Sequence, residues 1–316
     1  MFGNKTVSVV VPAHDEEKLI QRMLATVPEW VDHIIVVDDL SRDRTAEKVR
    51  QAMEQDARIE LIQHEQNRGV GAAICTGYKS SLLKGCDVAV VMAGDAQMDP
   101  ADLPAIVRPV AEEGVDYAKG NRLVHGQAWE VIPRYRYIGN AVLSMLTKIA
   151  SGYWHVADSQ CGYTAISKGA LESLALDDVY PRYGVPNDIL IKLNISNRSV
   201  RDVPIRPVYN IGEKSGIRLS RDIFTIASLL LKRFLGRLVQ KYVIRDFHPL
   251  VLFYVFGLFT FPAGFFFGIS LVVYRLFVGP VAMTSALFAA FLALMGLQLL
   301  LFAMWFDMET NKHLKG

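Results

Sequence analysis

The residues best placed to do chemistry stand together at Gly94-Asp95-Ala96-Gln97-Met98-Asp99-Pro100. Asp95 and Gln97 offer a carboxylate and an amide oxygen, hard donors of the kind that hold Mg²⁺ or Mn²⁺. They follow the apolar run Val88-Ala89-Val90-Val91-Met92, fit for a buried parallel strand, and Pro100 opens a helix. In open α/β sheets ligands bind just beyond the carboxyl ends of strands. Taken alone, the stretch reads equally well as a polar strand-to-helix turn with a capping Asp.

Such residues need a scaffold that gathers strand ends. Residues 7–11 are a β-rich apolar run ended by Pro12, followed by Ala13-His14-Asp15-Glu16-Glu17 and a helical pattern over 18–27. A second buried strand, 33–38, closes on Asp38-Asp39-Leu40-Ser41-Arg42-Asp43-Arg44-Thr45, and a helix covers 46–55. A third strand spans 59–63, and Asn67-Arg68-Gly69-Val70-Gly71 opens a helix at Ala72. This alternation specifies a doubly wound, parallel α/β sheet. Helix N-termini along one edge favour phosphate-bearing ligands. Neither G-x-G-x-x-G nor G-x-x-x-x-G-K-[ST] occurs, which argues against dinucleotide dehydrogenases and P-loop ATPases. Gly69 and Gly71 serve either a phosphate or close backbone packing.

Beyond Pro100 the pattern gives a helix over 101–113 and a short strand over 116–119 leading to Gly120-Asn121-Arg122. A loop then carries Arg134 and Arg136, and a helix covers 138–149. The stretch from Asp158 to Ala165 turns from polar to apolar, and a helix follows from Lys168. Asn187-Asp188 precedes a helix ending near Asn194, and a last strand, 203–209, leads to a glycine-flanked segment with Lys214.

The 316 residues leave room for a domain of roughly 200–250 plus an appendage. A formal net charge of +2 supplies no basic field that would argue for nucleic acid. Cys75, Cys86 and Cys161 show neither metal spacing nor pairing, as in a reducing compartment. The N-terminal MFGNKTVSVVVP enters a strand, not a cleavable signal. Over 221–243, apolar Phe224, Ala227, Leu231, Phe234, Leu235, Leu238 and Tyr242 oppose Asp222, Thr225, Ser228, Lys232, Arg237 and Lys241. That is a basic amphipathic helix, a form that commonly lies in a membrane interface. Residues 251–274 and 281–306 hold no charged side chain. Each stretch, about 24–26 residues long, can cross a hydrocarbon core of roughly 30 Å. Lys and Arg crowd both outer flanks while Arg275 alone sits in the connection, so the positive-inside rule puts both chain ends in the cytoplasm.

The segments VVVPAHDEE, VVDDLSRDRT, NRGVGAA, MAGDAQMDP, KGNR and DSQCGYTAIS, in this order and spacing, resemble the family 2 glycosyltransferases of GT-A fold. The resemblance is closest to the polyprenyl-phosphate glycosyltransferases of the dolichol-phosphate mannose synthase type. It covers roughly residues 7–218, and the two-helix tail matches membrane-anchored members. It implies a cytoplasmic catalytic domain over 1–219 with a mostly parallel doubly wound sheet and an amphipathic juxtamembrane helix over 220–246. A transmembrane hairpin over 247–308 and a cytoplasmic tail over 309–316 complete an integral protein of a prokaryotic cell membrane.

By the same resemblance, Pro12, Ala13, His14 and Glu16 surround the base and ribose of a UDP- or GDP-linked sugar. Asp38 accepts a hydrogen bond from the base, and Asp39 belongs to the same turn. Asp95, Ala96 and Gln97 meet the diphosphate, with Asp95 and Gln97 as ligands of a Mg²⁺ or Mn²⁺ ion, and Lys214 closes over the phosphates. The family usually has Tyr and Asn where this chain has His14 and Asp15, Gly at Leu40, and often a further Asp at Ala93. Arg122 and Arg136 match arginines that bind the phosphate of a polyprenyl acceptor, and Asn140 a nearby hydroxyl position.

Asp188 stands near where relatives with hydroxyl acceptors carry a base; sugar contact or helix capping is the favoured role here. The implied reaction is a single displacement with inversion. Alternatives are a transferase for another lipid or glycan, a nucleotidyltransferase, and a non-catalytic membrane-tethered sugar-nucleotide binder. Oligomeric state stays open.

Overall fold

Strands β1 (Val7–Ala13), β2 (His33–Asp38) and β4 (Val88–Val91) are made mostly of buried Val, Ile and Ala. A strand covered on both faces has no solvent side on which to place polar residues. In the computed structural model these strands join β3 (Ile59–Gln63), β5 (Tyr117–Asn121), β6 (Thr164–Ser167) and β7 (Val200–Pro204). Among the described residues they form one sheet of seven strands in the order β3-β2-β1-β4-β6-β5-β7. The structure describes all residues except 125, 127, 128, 130, 131 and 209–218, and no side chain at 135, 136 or 219–223.

The half from β3 to β4 is parallel, with Ala13 beside Asp38 and Val10 beside Val91. β6 runs the other way, against β4 through Val91–Thr164 and against β5 through Lys119–Thr164. That reversal matters for the site. It brings the segment entering β6, residues 158–163, to the same edge as the carboxyl ends of β1, β2, β4 and β5. β7 pairs with β5 in parallel.

Alternation along β1 divides two cores. Val9 and Val11 join Ile20, Met23, Ile106 and Val107 on one face. Val10 joins Ile74, Tyr78 and Leu190 on the other.

Several boundaries differ from expectation for readable reasons. β7 lies at Val200–Pro204, not 203–209, because Pro204 and Pro207 lack the N–H a continuing ladder needs. The helix expected at 138 begins at Arg134, directly after Pro133. β6 was hidden in a polar-to-apolar stretch because it is only four residues long.

By compactness the chain forms two units, Met1–Phe234 with His313–Gly316, and Leu235–Lys312. In the first, the C-terminal residues come back to the sheet: Leu314 is buried and Lys315 bridges Val200. In the second, helices Leu250–Phe277 and Met283–Thr310 pack along Gly257, Gly264, Ala289, Gly296 and Ala303, small residues that let backbones approach. Only 22% and 17% of their most apolar windows are buried, whereas a soluble core helix is mostly covered. Both are long and apolar enough to cross a membrane.

The amphipathic helix runs over Leu219–Val239 and continues as a π-helical turn, Gln240–Arg245. Its faces differ from the expected ones. Ile226, Leu230, Phe234, Leu238 and Tyr242 are buried, but so are Arg237 and Lys241, while Phe224, Leu231 and Leu235 stand exposed. The two cations turn inward because Asp307 and Asn311 meet them there.

Candidate active site

The first two polar turns are one structure. The Asp39 N–H donates to Ala13 O (2.9 Å), Asp15 N to Ser41 Oγ (3.0 Å), Glu16 N to Thr45 Oγ1 (2.8 Å) and Glu17 N to Asp43 Oδ2 (3.0 Å). The third turn joins them through Gly94 N, which donates to Pro12 O at 3.2 Å. Asp15, Leu40 and Ala96 each adopt positive φ, near 60°, a conformation costly for L side chains. Such strain, repeated at three strand ends, is the kind that clusters at ligand sites.

Asp38 is buried at the end of β2, with Oδ1 accepting Ser41 N (3.0 Å) and Oδ2 accepting the Gln63 amide (3.0 Å). Asp39 has both oxygens engaged by protein. His64 Nδ1 (2.7 Å) and Arg68 N (2.8 Å) donate to Oδ1, and Gly69 N (2.7 Å) donates to Oδ2. Burial would raise its carboxyl, but these donors outweigh it and hold the group below its ordinary value. His14 is exposed, and its Nδ1 receives the Asn67 amide at 3.5 Å.

Gly69 and Gly71 serve close packing. A Cβ on Gly69 would meet Pro181 O at 2.5 Å, and one on Gly71 would meet Tyr180 O at 2.3 Å. Pro181 O accepts the N–H groups of Gly71 (2.8 Å) and Ala72 (3.1 Å). The N-terminus of the helix Val70–Leu83 is thus capped by protein backbone.

At the Asp95 turn, Oδ1 accepts Gln97 N (3.0 Å) around left-handed Ala96, and Asp99 caps the next helix through Ala101 N (2.9 Å). Glu16 lies close by. Its carboxyl is pushed up to about 7 by burial first, then by the negative charges of Asp95, Asp43 and Asp15. Among the described residues no three His, Cys, Asp or Glu side chains gather to hold a metal. The donor chemistry still fits a divalent cation: Asp95 and Gln97 bring hard oxygens, and the charge pressing on Glu16 is what a cation relieves. The rest of the coordination shell would come from a ligand's own oxygens and water.

On the other side of the edge, Arg122 is gripped by buried Asp158. The Arg122 Nε–Oδ2 distance is 2.8 Å, Nη2–Oδ1 is 3.2 Å, and the backbone N of Arg122 adds a third donor at 3.2 Å. Asp158 was visible in DSQCGYTAIS but carried no assigned role; a lone Asp in a polar run gives no sign of its partner. Arg136 lies in the first turn of the helix Arg134–Ser151 and its side chain is not described; Lys214 lies outside the described residues. Asn140 is half-buried in the same helix.

Asp188 is fully buried. Its Oδ2 accepts Tyr180 N (2.8 Å), and its Oδ1 pairs with Arg233 Nε (2.7 Å). Burial raises its carboxyl, against the pull of Tyr180 N and Arg233. It thereby fixes the segment Tyr180–Pro181 that caps the Val70 helix. Sequence offered no signal for Arg233, which sits 45 residues away.

The chain resembles several known proteins. A UDP-N-acetylglucosamine–dolichyl-phosphate N-acetylglucosaminyltransferase from Methanococcus voltae is 31% identical over 222 residues, covering 66% of this chain and 88% of that protein. An undecaprenyl-phosphate mannosyltransferase from Micrococcus luteus is 27% identical over 204 residues, 63% of this chain and 82% of the relative. Glucosyl-3-phosphoglycerate synthase from Mycobacterium tuberculosis, solved with Mn²⁺, UDP and glucosyl-3-phosphoglycerate, superposes with a TM-score of 0.53 at 21% identity, over 74% of this chain and 80% of that one. At that identity the likeness speaks for the fold alone. The model of the glycosyl transferase family 2 matches residues 8–175, more than half of the chain, and its strand-end turns are the ones just described: the chain belongs to glycosyl transferase family 2.

Proposed function

We propose that this glycosyltransferase moves a sugar from a UDP- or GDP-linked donor to a polyprenyl phosphate at the cytoplasmic face of a membrane. The observation that carries the acceptor reading is the state of Asp188. A hydroxyl acceptor needs a base to take its proton. The carboxylate in that neighbourhood is instead sealed, with Tyr180 N and Arg233 upon it. A phosphate monoester has a second pKa near 6 and is mostly dianionic at pH 7, so it attacks without one. The relatives named for dolichyl- and undecaprenyl-phosphate acceptors support the same choice.

In this reading Pro12, Ala13, His14, Glu16 and Asp38 line the nucleotide side, with Asp39 as the pin of its floor. Arg122 and Arg136 hold the acceptor phosphate by charge-assisted bonds, and Lys214 closes over the donor. A phosphate oxygen attacks the anomeric carbon as the nucleoside diphosphate leaves from the opposite face, with inversion. Asp95 and Gln97 would hold a Mg²⁺ or Mn²⁺ ion that offsets charge on the leaving diphosphate. The apolar helices would span the membrane with both chain ends inside, keeping the isoprenoid acceptor at high local concentration.

Incubation with a panel of labelled nucleotide sugars and polyprenyl phosphate, followed by butanol extraction, tests this. Label should enter the organic phase with one donor; label found only in water-soluble products overturns the acceptor. Asp95→Asn should cost about 10²–10³-fold in turnover, as loss of a central electrostatic group does. Full activity in excess EDTA would remove the metal. A cysteine placed between Val278 and Thr284 should react with an impermeant maleimide outside intact cells, and one after Lys312 should not; the reverse pattern overturns the topology.

A further inference from the structure

The sheet order β4-β6-β5 sets the segment entering β6 between two turns, because β4 leads to the Asp95 turn and β5 to Arg122. Neighbouring strands lie about 4.8 Å apart, so the ends of β4 and β5 are separated by roughly 10 Å, room for one sugar ring. The segment is fastened to both sides. Tyr163 OH donates to Asp99 O at 3.2 Å, and a Cβ on Gly162 would meet Met98 Cε at 3.3 Å. At its other end Asp158 grips Arg122, and Gln160 N donates to Asp158 Oδ1 at 3.2 Å. Between these points Ser159 and Cys161 are buried and Gly162 has no side chain. Half-buried Gln160 is left to present a polar group to the space between the turns.

That group is held from behind. Gln160 Nε2 donates to Ser159 Oγ (2.6 Å) and to Asn187 Oδ1 (2.8 Å), so both amide hydrogens are used. Ser159 Oγ in turn donates to Ser144 Oγ (3.1 Å), and Thr147 Oγ1 donates to Asn187 Oδ1 (3.0 Å). Ser144, Thr147, Ser159 and Asn187 are all buried. Asn187 leaves its own Nδ2 buried without a partner among the described residues, so stability alone does not explain its presence. The network fixes which way round the Gln160 amide lies. Its Oε1 has no protein partner among the described residues and is not sealed. We propose that Gln160 determines specificity for the transferred sugar, its Oε1 accepting a hydrogen bond from a hydroxyl or amide N–H on the ring. A side chain already locked by buried acceptors loses little further freedom on meeting a ligand. The proposal rests on the reading above that a nucleotide sugar is the substrate, with its diphosphate at the Asp95 turn and the acceptor phosphate at Arg122; the sugar in transit then lies between them.

Calorimetric titration of the full-length protein in nanodiscs tests this without any transfer assay. The probes, with Mg²⁺ present, are UDP and GDP beside UDP-N-acetylglucosamine, UDP-glucose and GDP-mannose. Gln160→Met keeps the side-chain volume and removes its hydrogen bonds. It should leave affinity for the bare nucleoside diphosphate within about twofold and weaken the matching nucleotide sugar by about tenfold. Among analogues lacking one ring hydroxyl or the acetamido group, one should lose affinity on the original protein and lose no more on Gln160→Met. Asn187→Ala frees the Gln160 amide and should weaken the nucleotide sugar in the same direction by less, which keeps a test in hand if Gln160→Met does not fold. Equal losses for nucleotide and nucleotide sugar overturn the proposal and make Gln160 a structural residue. Losses that simply add for every analogue overturn it as well. Unchanged affinity for both ligands with a raised KM for polyprenyl phosphate overturns it and moves Gln160 to the acceptor side. Absence of nucleotide-sugar binding by the original protein would overturn the substrate reading itself, whereas failure of the inference alone appears only in the variants. A different acceptor would leave the binding pattern intact.

Discussion

Two forked arginine–carboxylate pairs in this molecule share their chemistry and differ in everything around them. Arg122 and Asp158 pair at the edge of the sheet, the Asp158 side chain sealed and the Arg122 side chain still 21% exposed. Arg237 and Asp307 pair inside the helical unit with neither side chain exposed, at 2.9 Å through both nitrogens. Around the second, Tyr242 OH donates to Asp307 Oδ1 (2.6 Å), and Asn311 receives Lys241 Nζ (2.7 Å). The first pair leaves part of its arginine side chain open to solvent. The second spends both partners on each other and clasps the last turn of the Leu219–Val239 helix to the end of the Met283–Thr310 helix. The two pairs share their geometry and differ in residual exposure, which makes Arg122 the one to test as a ligand contact.

The largest effect should come from breaking the clasp. Asp307→Ala leaves Arg237 buried without its counter-charge, a change that costs about 3–5 kcal/mol. The unfolding midpoint in detergent should fall steeply. Arg237→Met combined with Asp307→Leu should recover most of the loss, because an apolar pair needs no desolvation. Asp158→Ala should cost less, about 1–3 kcal/mol, since Arg122 can turn its open face to water. Equal losses for the two would erase the distinction.

The second test reads function. If Arg122 is a reagent, Arg122→Ala should raise the KM for polyprenyl phosphate by an amount worth about 1.5–3 kcal/mol and leave donor affinity near its original value. Arg136→Ala should act in the same direction. Arg122→Lys should recover only part, because an ammonium keeps the charge and loses the planar fork. Calorimetric titration of nucleoside diphosphate decides: affinity weaker by about tenfold with an unaltered acceptor KM would make Arg122 a clasp like Arg237.

The same contrast explains what could be read from sequence. β1, β2 and β4 were legible because doubly covered strands are written as apolar runs, and the turns after them because Pro, Asp and Gly stop those runs. The apolar helices were legible by length. Arg237 was assigned to the polar side of an amphipathic helix because its partner lies 70 residues later, one position past the stretch that holds no charge. The helix over 138–149 was legible, but which of its faces is buried was not, for a related reason. Periodicity marks an apolar face but does not say whether protein covers it, and here Ile138, Val142, Met145 and Leu146 stand exposed. Asp39, Asp158 and Asp188 look alike in sequence, and only their donors reveal that each holds a neighbouring segment in place.

The smallest expected effect sharpens the comparison from behind Arg122, where two buried carboxylates are driven in opposite directions. Burial would raise Asp158, but the Arg122 charge and its hydrogen bonds, with Lys119, hold it below the ordinary range. Burial pushes Asp202 up to about 6, with Asp158 adding to the rise, against the pull of Ala157 N, Lys119 and the Asn121 amide. The Asn121 amide and Ala157 N both donate to Asp202 Oδ2, each at 2.7 Å. An Asp whose folded value lies above the unfolded one, about 3.9, binds its proton more tightly when folded. Its contribution therefore declines as pH rises from about 4 to about 6 and is level beyond. Asp158, with its folded value lowered, contributes in the opposite sense and loses stability as pH falls. Asp202→Asn should remove the first dependence and leave the second. The unfolding midpoint of the variant minus that of the original protein should rise across pH 4–6 and then plateau. A difference that stays flat over this range would mean that Asp202 ionises as an ordinary carboxylate.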